Sequence, residues 1–82
     1  MMEASLACVR PEECCVIQGV DLPEGQRRRL RDLGLLPGAN IRCGVIAPSG
    51  SPIAFWIKGA LIALRVEDCR QIRVLRSSSH ED

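Results

Sequence analysis

Apolar and polar positions along this chain alternate in short bursts more often than they recur every three or four residues, which predicts a mainly β domain with little helix. The run Cys14-Cys15-Val16-Ile17-Gln18-Gly19-Val20 reads as a first strand, with Cys14 and Cys15 on opposite faces and Gly19 as a bulge or close-packing point. Residues 41–47, 53–57, 61–65 and 72–75 supply four more strands. On the hairpin formed by the third and fourth, alternation puts Ile53, Phe55, Ile57, Ile62 and Leu64 on the core side. Ala54, Trp56 and Lys58 then face outward, with Ala60 and Leu61 as neighbours of Trp56. An outward tryptophan beside other apolar groups calls for a reason.

Between the first two strands the period changes. Leu22-Pro23-Glu24 opens a short helix: proline suits a first turn, Glu24 suits the positive end of the helix dipole, and Leu30 and Leu33 recur at i and i+3 as an inner stripe. Gly34 follows where a left-handed C-cap is wanted, and Leu35 can pack back onto the last turn. Substituting valine at Gly34 is therefore expected to destabilise the fold. Leu36-Pro37-Gly38 reads as a type II turn, residues 48–52 as a loop, Lys58-Gly59 as a tight connection and residues 66–69 as a single helical turn. Five short strands point to a closed or nearly closed barrel, because an open sheet this small leaves exposed edges and too little core. Residues 1–10 and 76–82 read as weakly ordered extensions, which makes 11–75 the working domain.

Composition narrows the function classes. A chain of 82 residues that is 46% hydrophobic and carries a net charge of +1 has room for one core and lacks the polarity of a disordered segment. Its longest apolar runs, 53–57 and 60–64, are far below the roughly 18–20 residues that cross a bilayer. Residues 1–9 carry Glu3 instead of a basic leader, so a cytoplasmic location without membrane insertion is expected. Five cysteines (Cys8, Cys14, Cys15, Cys43 and Cys69) without CxxC spacing suit small core or strand residues better than a disulfide framework.

Candidate chemistry is sparse. There is no tyrosine, the single histidine is His80 in the polar tail, and no nucleophile–base order or Walker loop can be assembled, so neither an enzyme nor a bound cofactor is expected. Metal-binding groups would have to come from Cys14, Cys15, Glu12, Glu13, Glu67, Asp68 and His80, whose acids read more simply as solvated loop charges; no ligand set is assigned. The strongest electrostatic feature is Arg27, Arg28, Arg29 and Arg31. On a helix Arg27 and Arg31 share a face with Arg28 nearby, opposite the leucines. That face is either simply solvated or docks on an acidic protein surface, with nucleic acid or anionic lipid as lesser alternatives. The near-zero net charge argues against nucleic acid.

The stretch Arg27-Arg28-Arg29-Leu30-Arg31-Asp32-Leu33-Gly34-Leu35-Leu36-Pro37-Gly38 resembles the ferrous-iron transport protein A family, FeoA. The likeness continues through Ala47-Pro48-Ser49-Gly50-Ser51-Pro52-Ile53, Lys58-Gly59, Ile62-Ala63-Leu64-Arg65 and Ile72-Arg73-Val74. It implies an SH3-like five-stranded barrel with a short helix in its first long loop. It also implies a non-enzymatic cytosolic accessory of ferrous-iron uptake that acts with the membrane GTPase transporter FeoB. Arg27, Arg28, Arg31, Trp56 and Leu61 are the candidate partner-binding residues, and Gly34, Pro37, Gly38 and Gly59 the turn formers. The Trp56 patch can equally serve self-association into a homo-oligomer. Two other uses stay open: a regulatory module related to the SH3-like domain of iron-dependent repressors, and a small RNA-binding barrel.

Overall fold

The alternating stretches become a single antiparallel sheet in the computed structural model, which describes residues 2–76. Its strands are β1 (Met2–Ser5), β2 (Cys14–Val20), β3 (Asn40–Ile46), β4 (Ile53–Ile57), β5 (Ala60–Leu64) and β6 (Ile72–Arg76), in the spatial order β1-β6-β2-β3-β4-β5. Helix α1 (Glu24–Asp32) fills the link from β2 to β3, and one helical turn, α2 (Val66–Cys69), precedes β6. The architecture is an SH3-like small barrel.

The strand count is six rather than five, and the extra strand lies where a weakly ordered extension was expected. Met2–Ser5 pairs with β6 from Met2↔Arg76 to Ser5↔Arg73, and the 3-10 turn at Leu6–Cys8 sinks Leu6 and, just after it, Val9 into the core. No local pattern marks this segment. Four residues are too few to show a period, and what makes them a strand is the edge that β6 offers them. Arg76 belongs to β6, and the remainder of the expected tail, 77–82, lies outside the described residues.

The core forms as the hairpin alternation requires. Ile53, Phe55, Ile57 and Leu64 are buried and Ile62 packs against them, joined by Ile17, Ile41, Ile72 and Val74 from the neighbouring strands. Cys15, Cys43 and Cys69 are buried as well, whereas Cys14 faces outward as the strand parity demands. Burial pushes the Cys15 and Cys69 thiols up to about 12, which leaves them as small hydrophobes. The inner stripe of α1 is narrower than its spacing suggests: Leu30 is buried, but Leu33 stands at the helix end and remains 42% exposed. Leu35 takes its place in the core and returns its N–H to the Leu30 carbonyl at 2.8 Å.

That return depends on Gly34, whose φ of +102° lies in the left-handed region. A Cβ there would also come within 3.1 Å of Ile57 Cγ2 and 3.3 Å of Lys58 Cδ. Gly34→Val should therefore cost about 2–3 kcal/mol of stability. A thermal melt should show a Tm roughly 10–20 °C lower. An unchanged melt would mean that the cap carries no strain. Gly38 sits at the third position of the Leu36–Ala39 turn, with the Ala39 N–H donating to the Leu36 carbonyl at 3.0 Å, as the type II reading requires.

Candidate interaction surface

The outer face of β3, β4 and β5 carries three exposed large apolar groups, Val45, Trp56 and Leu61. Arg42, Trp56 and Leu61 stand side by side in register, followed by Val45, Ala54 and Ala63. A bulge between Cys43 and Val45 places Gly44 under this row: a Cβ there would lie 3.2 Å from both Leu61 Cδ1 and Trp56 Nε1. Glycine thus lets the two side chains lean together over the strand. The Arg42 guanidinium sits 5.7 Å from the Trp56 ring centroid, within cation–π range, and is tethered by a 2.9 Å ion pair to Glu12. Trp56 is 37%, Leu61 50% and Val45 61% exposed, so the strip is open to a partner. Sequence parity finds Trp56 and Leu61. It misses Val45, because the bulge at Gly44 breaks the alternation, and it gives no sign that Arg42 stacks on Trp56, a contact between two strands.

The arginines of α1 occupy a different place. Arg27 and Arg28 both reach Glu24, at 2.7 Å and 3.8 Å, while Arg29 and Arg31 are exposed and form no ion pair among the described residues. Arg27 and Arg31 line a groove of about 380 Å³ together with Arg73, Asp21, Leu36 and Pro37. Arg73 grips Asp21 through two hydrogen bonds, at 2.8 Å and 3.2 Å, and its guanidinium lies across Gly19, where any Cβ would collide with it. The donated hydrogen bonds hold the Asp21 carboxyl below its ordinary range. Neither Asp21 nor Arg73 is visible as a pair in the sequence, since 52 positions separate them. Just beyond the helix, Gly34 abuts Ile57 and Lys58 of the β4–β5 hairpin. Pro37 joins the groove, and Gly59 completes the hairpin turn with a φ of +81°.

A bulged SH3-like sheet with a helix inserted after its second strand is the architecture of a known family, and the family model for the FeoA domain matches residues 4–76. The chain belongs to the FeoA family. The FeoA protein of Chlorobium tepidum superposes with a TM-score of 0.87 at 30% identity, over 94% of this chain and 73% of that one. A FeoA-like protein of Clostridium acetobutylicum gives 0.84 at 26% identity, over 100% of this chain and 95% of that one. The zinc-complexed FeoA of Stenotrophomonas maltophilia gives 0.70 at 25% identity, over 92% and 91%; it is described as a procaryotic SH3 domain protein and proposed as a ferrous iron transport activating factor. No curated protein matches the chain. The family match begins at Ala4, so it takes in the second half of β1.

The acids of this FeoA domain that sequence reading singled out are spread apart. Glu12 holds Arg42, Glu13 holds Arg76 and Asp68 lies 3.6 Å from Arg65, while Glu67 is exposed. Among the described residues no three His, Cys, Asp or Glu side chains converge to hold a metal ion; His80 lies outside them. No helix among them is long and apolar enough to cross a membrane.

Glu13 of this FeoA domain ties two strands together. It accepts two hydrogen bonds from Arg76, at 2.7 Å and 3.1 Å, and one from the Arg10 N–H at 2.9 Å, tying the start of β2 to the end of β6. The Arg76 hydrogen bond holds its carboxyl below the usual carboxylate range, against the opposing effect of burial. The unfolded chain therefore binds the proton more readily, so the stability this group supplies is present above the ordinary value of 4.5 and is lost as pH falls through the lowered one. Glu13→Gln should flatten the fall in denaturant midpoint between about pH 5 and pH 3. Equal pH profiles for the two proteins would remove this assignment.

Proposed function

We propose that this chain is a non-enzymatic, cytoplasmic accessory of ferrous-iron transport that binds the cytosolic part of a FeoB-type membrane transporter and tunes its activity. Membership of the FeoA family supports the pathway. The observation that carries the binding role is the open strip of Trp56, Leu61 and Val45 with Arg42 stacked on its tryptophan. It has the makings of an interface centre: a large aromatic side chain, apolar neighbours and an arginine. Arg27, Arg28 and Arg31 form a second, electrostatic contact that steers an acidic surface of the transporter toward the strip.

The test is an amide NMR titration of the labelled protein with the cytosolic part of its cognate FeoB-type transporter, and with ferrous iron alone as the control. Shifts centred on Trp56 and Leu61, with weaker ones along α1, are the expected result. No shifts with the transporter, together with clear ones near cysteines or acids on adding iron, would replace docking with direct metal handling.

A further inference from the structure

β5 ends the strand order, and among the described residues its backbone is paired only with β4. The hairpin turn decides which of its polar groups that pairing uses. Lys58 at φ +50° and Gly59 at φ +81° form a two-residue type I′ turn, so Ile57 and Ala60 are the hydrogen-bonded pair that closes it. Bonded and non-bonded pairs alternate along an antiparallel ladder. Ile62 and Leu64 therefore bond to β4, and the N–H and C=O groups of Leu61 and Ala63 point to the free edge.

That edge has none of the features that usually blunt one. Ala60-Leu61-Ile62-Ala63-Leu64 contains no charge, no proline and no bulge. At the other end of the sheet, β1 is only four residues long and carries Glu3.

We propose that β5 pairs antiparallel with β5 of a second copy of this chain, about a twofold axis at Ile62. The second copy is the occupant because the free groups are complementary to themselves. A twofold axis at Ile62 sets Leu61 opposite Ala63 of the second copy and Ala63 opposite Leu61, so every free N–H meets a free C=O. Moving the axis by one residue puts Ala63 opposite Gly59 in the turn, or Leu61 opposite Arg65 at the start of α2. At Ile62 the large Leu61 side chain faces the small Ala63, and both lie on the outer face with Trp56. Lys58 falls opposite Val66 and Arg65 opposite Gly59, so no like charges meet across the seam. The contact is small, which sets its affinity in the micromolar range or weaker. It rests on the backbone edge and not on Trp56, although the two readings share Leu61.

The experiment is sedimentation equilibrium of the full chain from micromolar to millimolar concentration, with amide hydrogen exchange read by NMR at both ends of the range. A dimer is expected in which the Leu61 and Ala63 amides become protected as concentration rises, while Ile62 and Leu64 are protected throughout. Ala63→Pro removes one edge donor whose N–H is not used by β4, and Leu61→Lys places a charge on the edge at an exposed position. Each should weaken dimerisation at least tenfold with the far-UV spectrum unchanged. Leu61→Lys keeps the test valid should the proline perturb the hairpin. A monomer at millimolar concentration would overturn the proposal. So would a dimer in which the Leu61 and Ala63 amides still exchange freely, or one that survives Leu61→Lys.

Discussion

Phe55→Ala is expected to lower the stability of the domain by about 3–5 kcal/mol, the range for removing a fully buried aromatic side chain. Phe55 is 0% exposed, is the only phenylalanine in the chain, and stands between Cys43 on β3 and Ile62 on β5. A domain of this size has about 5 kcal/mol to lose. The variant should therefore be largely unfolded at 37 °C, and a guanidinium melt followed by far-UV circular dichroism would show it. Phe55→Leu keeps most of the volume and should cost less than about 1.5 kcal/mol. Equal losses for the two would mean that ring packing does not hold the three strands together.

Trp56→Ala carries the largest effect expected on binding. Truncating a central interface tryptophan typically costs 2 kcal/mol or more, so affinity for the cytosolic part of the transporter should fall about thirtyfold or further. Because the ring lies on the outer face and is 37% exposed, the melting temperature should move far less than for Phe55→Ala. Isothermal titration calorimetry measures the first quantity and a thermal melt the second. Arg27→Ala and Arg31→Ala should act differently, slowing association and reducing its salt dependence with little change in the dissociation rate. Unchanged affinity in Trp56→Ala would move the docking site away from the strip and leave the arginine groove as the remaining surface.

The difference between these two residues, one position apart, was legible in the sequence because strand parity is a local property. The same holds for the α1 cap at Gly34, the turn at Pro37-Gly38 and the β4–β5 hairpin, where a few neighbouring residues set the backbone. Legibility failed where structure is dictated from afar. β1 exists because β6 offers it an edge, and the Asp21–Arg73 clasp joins the end of β2 to β6 across Gly19. Leu33 misled for a subtler reason. It keeps the helical spacing to Leu30, but the helix ends at Asp32, and the reversal at Gly34 gives its place in the core to Leu35. Val45 was hidden by one inserted residue, since a bulge shifts every later side chain on its strand by one step.

The position of β6 also governs the order in which the molecule can be completed. The strand made last sits between β1, made first, and β2, made second. Until residues 72–76 arrive, β1 has no neighbour and β2 has only β3, so the hairpins of the chain's middle can form early while its beginning waits. Assembly is thus a closing step: one late segment inserts between two early ones, links the most distant parts of the sequence and buries Ile72 and Val74 at the same moment. A chain arrested before residue 72 would hold a hairpin but no domain.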